Sequence, residues 1–104
     1  MRAAIKGFYS TDVDVDAYVS EDPKNDSVWV RMICGPVDGP GEESFDVLLC
    51  TPGSLAAEAA NGPVIGRHRL IQEELNVAAA LRYLQEFVGQ IDEPDWISTA
   101  EKLG

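Results

Sequence analysis

This chain is short of the residues from which small active sites are usually built. Among its 104 residues there are one histidine, two cysteines, and eight lysines and arginines against eighteen aspartates and glutamates. One histidine and no Cys-x-x-Cys pair leave no ligand set for a structural zinc. The scarcity of positive charge gives a formal net charge of −10. Such a surface repels phosphates, so neither nucleic acid nor anionic membrane is expected as a direct partner. No apolar run approaches the roughly 18 residues of a membrane span. The opening "MRAAIKGFYS" lacks a signal-peptide core, and the expected location is the cytoplasm. What is present is ordinary for a globular protein, 45% hydrophobic and 25% charged, and predicts a single domain over residues 1–104. The acid is unevenly placed, ten carboxylates against four Lys/Arg in residues 1–50 and eight against four in 51–104. An acidic surface of this kind serves solubility alone, or attracts and steers a basic protein.

The clearest local signal is "GEESFDVLLCTPGSL" at 41–55. Phe45, Val47 and Leu49 share one strand face, and Asp46, Leu48 and Cys50 the other, apolar on both sides near its end as in an inner strand. Thr51 is a good N-cap and Pro52 suits the first helical position, so a strand feeds directly into a helix over 52–60, closed by Asn61-Gly62-Pro63. Residues 2–9 predict a first strand with Ala3, Ile5, Gly7 and Tyr9 opposite Ala4, Lys6 and Phe8. Residues 10–25 form an acidic, turn-rich connection whose "VDVDAYV" reads as a short strand or turn. Residues 27–34 predict a second strand, with Val28, Val30, Met32 and Cys34 as its apolar row and Trp29, Arg31 and Ile33 as a mixed one. Trp29 is expected in the core. The loop "GPVDGPGEE" then closes a hairpin centred near Asp38-Gly39-Pro40. That hairpin sets Cys34 opposite about Ser44 and Cys50 opposite about Val28, roughly 20 Å apart along the strands, too far for a disulfide. Two reduced, buried thiols are expected.

Residues 67–74 predict an edge strand of poor alternation. Asn76 caps a long helix over 77–91 with the stripe Val77, Leu81, Leu84, Val88 and Ile91, widened by Ala80 and Phe87. A last helix, 94–103, points Trp96, Ala100 and Leu103 inward. The fold class is α+β, about four strands in a mainly antiparallel sheet with helices mostly on one face, in the order β-β-β-α-β-α-α.

Two constellations invite chemistry. Asp12, Asp14 and Asp16 place oxygens at alternate positions as an EF-hand loop does, but Ala17 and Pro23 stand where that loop needs Gly and Glu. No metal or cofactor is expected. His68 is the one obvious general base near neutral pH, and a hydrolase would need a nucleophile and an orienting acid beside it. A structural hydrogen-bonding role is the simpler reading.

The stretches "SEDP" at 20–23, "GEESFDVLLCTP" at 41–52, "GRHRLI" at 66–71 and "DWISTAEKL" at 95–103 resemble the immunity protein 8 family of bacterial polymorphic toxin systems. The chain departs from the pattern at Ser54, where an aromatic often follows the TP pair, and at Gln72-Glu73-Glu74, where the fourth strand is usually more apolar. The resemblance implies a non-enzymatic protein that binds and neutralises a cognate toxin domain. If that toxin is a nuclease, its phosphate-binding surface is basic and an acidic inhibitor matches it. The expected contact pool is Asp12, Asp14, Asp16, Glu21, Asp22, Asp38, Glu42 and Glu43. The rival readings are a small hydrolase using His68 and a scaffold subunit with no toxin partner.

Overall fold

The computed structural model describes residues 1–103. Strands β1 (Ala3–Tyr9), β2 (Ser27–Pro36), β3 (Glu43–Cys50) and β4 (Arg69–Ile71) form one sheet in the order β1-β2-β3-β4. With helices α1 (Pro52–Ala59), α2 (Val77–Gly89) and α3 (Trp96–Leu103) they complete the expected β-β-β-α-β-α-α order of an α+β fold. The first three strands pair antiparallel, and β4 pairs parallel to β3 because α1 is the crossover between them.

The main core lies on one sheet face. Val28, Val30, Met32 and Cys34 of β2, with Val47 and Leu49 of β3, meet Val77, Ala80, Leu84 and Val88 of α2 and Leu103 of α3. This packing fixes the hairpin register. Cys34 sits opposite Glu43 and Cys50 opposite Ser27, one residue away from the sequence expectation. The apolar rows explain the difference. In the observed register Val28 faces Leu49 and Val30 faces Val47, so both rows look at α2. A slip of one residue turns one row away from the core. The cysteines lie on opposite faces of the sheet, both buried and both free, and burial pushes the Cys34 thiol up to about 11.

β1 corrects a second expectation. A bulge between Ile5 and Gly7 switches the alternation, so Phe8 pairs with Met32 and joins the core while Tyr9 turns to the other face beside Arg31. Lys6 occupies the bulge and donates from Nζ to the Gly39 carbonyl at 2.8 Å, tying it to the β2–β3 turn. Gly35 lies under that turn; a Cβ there would collide with the Gly41 carbonyl oxygen.

The strand-to-helix stop at Thr51 behaves as its residues dictate. The Thr51 hydroxyl accepts from the Ser54 amide at 3.2 Å, and Ser54 Oγ accepts from the Thr51 amide at 3.0 Å, a reciprocal capping box. Thr51 is wholly buried, and its Oγ1 also accepts from the Asp26 amide at 3.3 Å. Asp26 in turn accepts from Tyr18 and Ser20. Burial works to raise the Asp26 carboxyl, but those donors and the Ser27 amide outweigh it and leave it below its ordinary value. The 10–26 connection is therefore pinned to the start of α1.

β4 is shorter than the expected 67–74. His68 holds a left-handed backbone with φ 61°, which a strand does not accommodate. At the other end the Gln72 side chain turns to the Asn76 backbone instead of extending the ladder. α3 begins at Trp96 because Asp95 caps it, accepting from the Ser98 amide at 2.8 Å, and α2 ends at Gly89, short of Ile91. Among the described residues no helix is long and apolar enough to cross a membrane.

Candidate binding face

The second sheet face is covered only in part. Leu48 and Cys50 on it are buried, and Arg69, in register with Leu48, reaches Glu58 of α1 with hydrogen bonds of 3.0 and 3.2 Å. That contact places α1 over the β3–β4 end. Toward β1 the face is open. Tyr9, Trp29, Arg31 and Asp46 line a shallow depression there, with Asp12 of the acidic loop on its rim. Trp29 is 49% exposed, which corrects its expected place in the core. Its row points away from α2 and α3, and the sequence signal for this was the Arg31 that shares it.

The open face is ordered by a cross-strand ion pair. Arg31 Nε donates to Asp46 Oδ1 at 2.7 Å and its Nη2 to Oδ2 at 3.2 Å. Asp46, and after it Tyr9, holds the guanidinium more firmly charged than usual, and Arg31 in turn draws the Asp46 carboxyl below its ordinary value. The pair is solvent-exposed, so it contributes little to stability and serves to hold the Arg31 guanidinium in one place on the face it shares with Trp29. Ser10 Oγ donates to the Trp29 carbonyl at 2.6 Å, fixing the acidic loop to the same strand. Trp, Tyr and Arg are the residues most enriched among binding hot spots. The depression, about 240 Å³, is smaller than the ~300–1,000 Å³ typical of small-molecule pockets and suits contact with a protein surface.

The structure divides the acidic contact pool. Asp12, Asp14 and Asp16 alternate with Val13 and Val15, whose side chains pack on the core and turn the acids outward. Asp14 also accepts from the Asp16 amide at 3.0 Å, an Asx turn that explains the spacing without a cation. Glu21 and Asp22 are exposed farther along the same connection. Asp38 lies on the β2–β3 turn in a depression with Met1 and Arg2, and Glu42 and Glu43 border another with Trp96 and Ile97. The loop and the turn leave opposite ends of the ten-residue β2, which at ~3.3 Å per residue separates them by roughly 30 Å. The first loop alone adjoins the aromatic face. Among the described residues no three His, Cys, Asp or Glu side chains gather as metal ligands.

His68 stands elsewhere, exposed in a groove with Phe45, Tyr83 and Phe87, whose described lining has no serine, threonine or cysteine. Its backbone carbonyl accepts from the Leu48 amide at 2.9 Å and opens the β3–β4 ladder, a structural task. Asn tolerates left-handed backbone. His68→Asn is therefore expected to keep the fold, with urea unfolding at the wild-type midpoint; a clearly lower midpoint would show that the imidazole itself supports the turn into β4.

Neither the curated proteins nor the solved structures gave a match. The family model described as Immunity protein 8 matches residues 3–104. The chain therefore belongs to the immunity protein 8 family, immunity proteins of toxin systems.

Proposed function

We propose that this protein binds the toxin domain of its own system through the open face around Trp29 and neutralises it without catalysis, in the cytoplasm of the cell that makes it. The observation that carries this reading is the Tyr9–Trp29–Arg31 cluster, exposed on an ordered sheet beside an acidic loop. The aromatic and guanidinium groups supply area that loses little entropy on contact, and the surrounding acid supplies steering. A net charge of −10 suits a basic target surface, and a nuclease toxin offers one in its phosphate-binding cleft. The acids of the first loop, Asp12, Asp14, Asp16, Glu21 and Asp22, act chiefly on encounter. Asp38, Glu42 and Glu43 take part where the footprint extends along β3.

Co-expression with the toxin domain encoded beside this gene tests the function, the expected outcome being survival of cells that die with the toxin alone. Steering has its own test. Reversing Asp12, Asp16 and Glu21 to Lys is expected to slow association about tenfold or more at low salt and to flatten its salt dependence, with dissociation little changed. Stopped-flow mixing measures both rates; an unchanged association rate would make the loop solvated surface only.

A further inference from the structure

β3 has a free edge as well as an open face. Leu48 donates its amide to His68 and Cys50 accepts from Gln72, so the even-numbered residues of β3 direct their backbone toward β4. By the strand's period of two, Ser44 and Asp46 direct theirs the same way, but β4 begins only opposite Leu48. Among the described residues, nothing pairs with the outward N–H and C=O of Ser44 and Asp46, and both residues are exposed. The two sides of this edge differ. On one is Asp46 with the Arg31 and Trp29 of the open face; on the other is a groove of about 360 Å³ whose lining includes Phe45, Val47, Tyr83 and Phe87, with His68 and Lys102. Tyr83 and Phe87 lie one helical turn apart on α2 and are 58% and 45% exposed. At the start of the edge stand Glu42 and Glu43, facing Glu101 of α3. Of the cations near this edge, Arg31 pairs with Asp46, Arg69 with Glu58 and Lys102 with Glu93, and Lys6 donates to the Gly39 carbonyl, whereas among the described residues Glu42, Glu43 and Glu101 are in no ion pair.

We infer that an extended segment of the toxin adds to the sheet as a further strand along Ser44–Asp46, with apolar side chains in the Phe45–Tyr83–Phe87 groove alternating with basic ones on the side of Glu42 and Asp46, and with Glu43 and Glu101 at the groove's end. This deepens the immunity reading and rests on it. Strand addition matches the edge for three reasons. Backbone hydrogen bonds are available where β4 falls short. A strand's alternation meets the Phe45–Tyr83–Phe87 side of the groove on one face and the side of Glu42 and Asp46 on the other. The unpaired acids at the start of the edge favour a basic segment and oppose a second copy, which would carry another charge of −10. The edge is also continuous with the Trp29 face through Asp46, so one partner can engage both.

The test is residue-resolved amide hydrogen exchange on this protein, free and with a catalytically inactivated toxin domain. In the free protein Ser44 and Asp46 are expected to exchange quickly while Phe45 and Val47, bonded to β2, are slow; the toxin is expected to slow Ser44 and Asp46 at least tenfold. Ser44→Pro, which removes an amide that the ladder does not use, is expected to weaken binding at least tenfold, and Ser44→Ala to leave it unchanged. Toxin binding with Ser44 and Asp46 still fast overturns the strand addition and leaves the immunity reading standing. No binding by the wild-type protein overturns both. Protection that rises with protein concentration in the absence of toxin makes a second copy the occupant and overturns the assignment to the toxin.

Discussion

Replacing Trp29 with alanine is expected to weaken binding to the toxin domain by about 2–4 kcal/mol, some 30- to 1,000-fold, while the protein stays folded. The indole is 49% exposed and points away from the α2–α3 core, so its loss opens no cavity. What the fold loses is strand propensity, at most about 1 kcal/mol. What the interface loses is the larger of the two rings on the open face, flanked by Tyr9 and an Arg31 guanidinium that Asp46 already holds in place. Trp29→Phe should recover part of the affinity, because ring area survives and the indole N–H does not. Calorimetric titration of each variant, with denaturant unfolding of the free proteins, separates the two effects. Equal affinity for Trp29→Ala and wild type would remove the open face from the interface.

The second large effect falls on stability. Thr51→Val keeps the shape of a wholly buried side chain and removes its hydroxyl. The Ser54 amide loses its cap, at about 1 kcal/mol, and the Asp26 amide is left without its partner in a partly buried setting, at about 1–2 kcal/mol. A net loss of about 2–3 kcal/mol is expected, and with it a fall in Tm of roughly 10–20 °C for a domain of this size. Thr51→Ser keeps the hydroxyl and should lose far less. Urea unfolding measures both. A Thr51→Val protein as stable as Thr51→Ser would mean that the hydroxyl does not hold the 10–26 connection to α1.

Much of this architecture could be read from the chain because local and global signals agree. The alternation through Phe45–Leu49, the Thr51-Pro52 stop and the Asn76-capped helix each say in a few residues what the packed structure repeats. The misplacements arose where a tertiary partner decides. Nothing local announces the bulge at Lys6, whose ammonium reaches a carbonyl 33 residues away, and without it Tyr9 falls on the wrong face. Centring the turn puts the register one residue off, because the rows facing α2 set the pairing. β4 ended early because His68 adopts a left-handed backbone and Gln72 turns to Asn76.

The binding face was legible only by halves. Counting charge found the acids but could not show that Asp12 borders an aromatic patch while Asp38, Glu42 and Glu43 lie toward the far end of the sheet. The general habit of tryptophan places Trp29 inward, and the structure exposes it. Its neighbour in the same row, Arg31, was the better guide, since a row carrying Arg31 beside a fully apolar one is the face that stays in solvent. Asp46 reads as a strand residue and gains its role only from the cross-strand Arg31 pair.

The most direct test of the central claim is a calorimetric titration of the inactivated toxin domain encoded beside this gene, at low and at high ionic strength. Saturable binding that weakens as salt rises is predicted, since an acidic protein is proposed to meet a basic surface. A titration that shows no binding at either ionic strength would contradict the account of this protein as the inhibitor of that toxin.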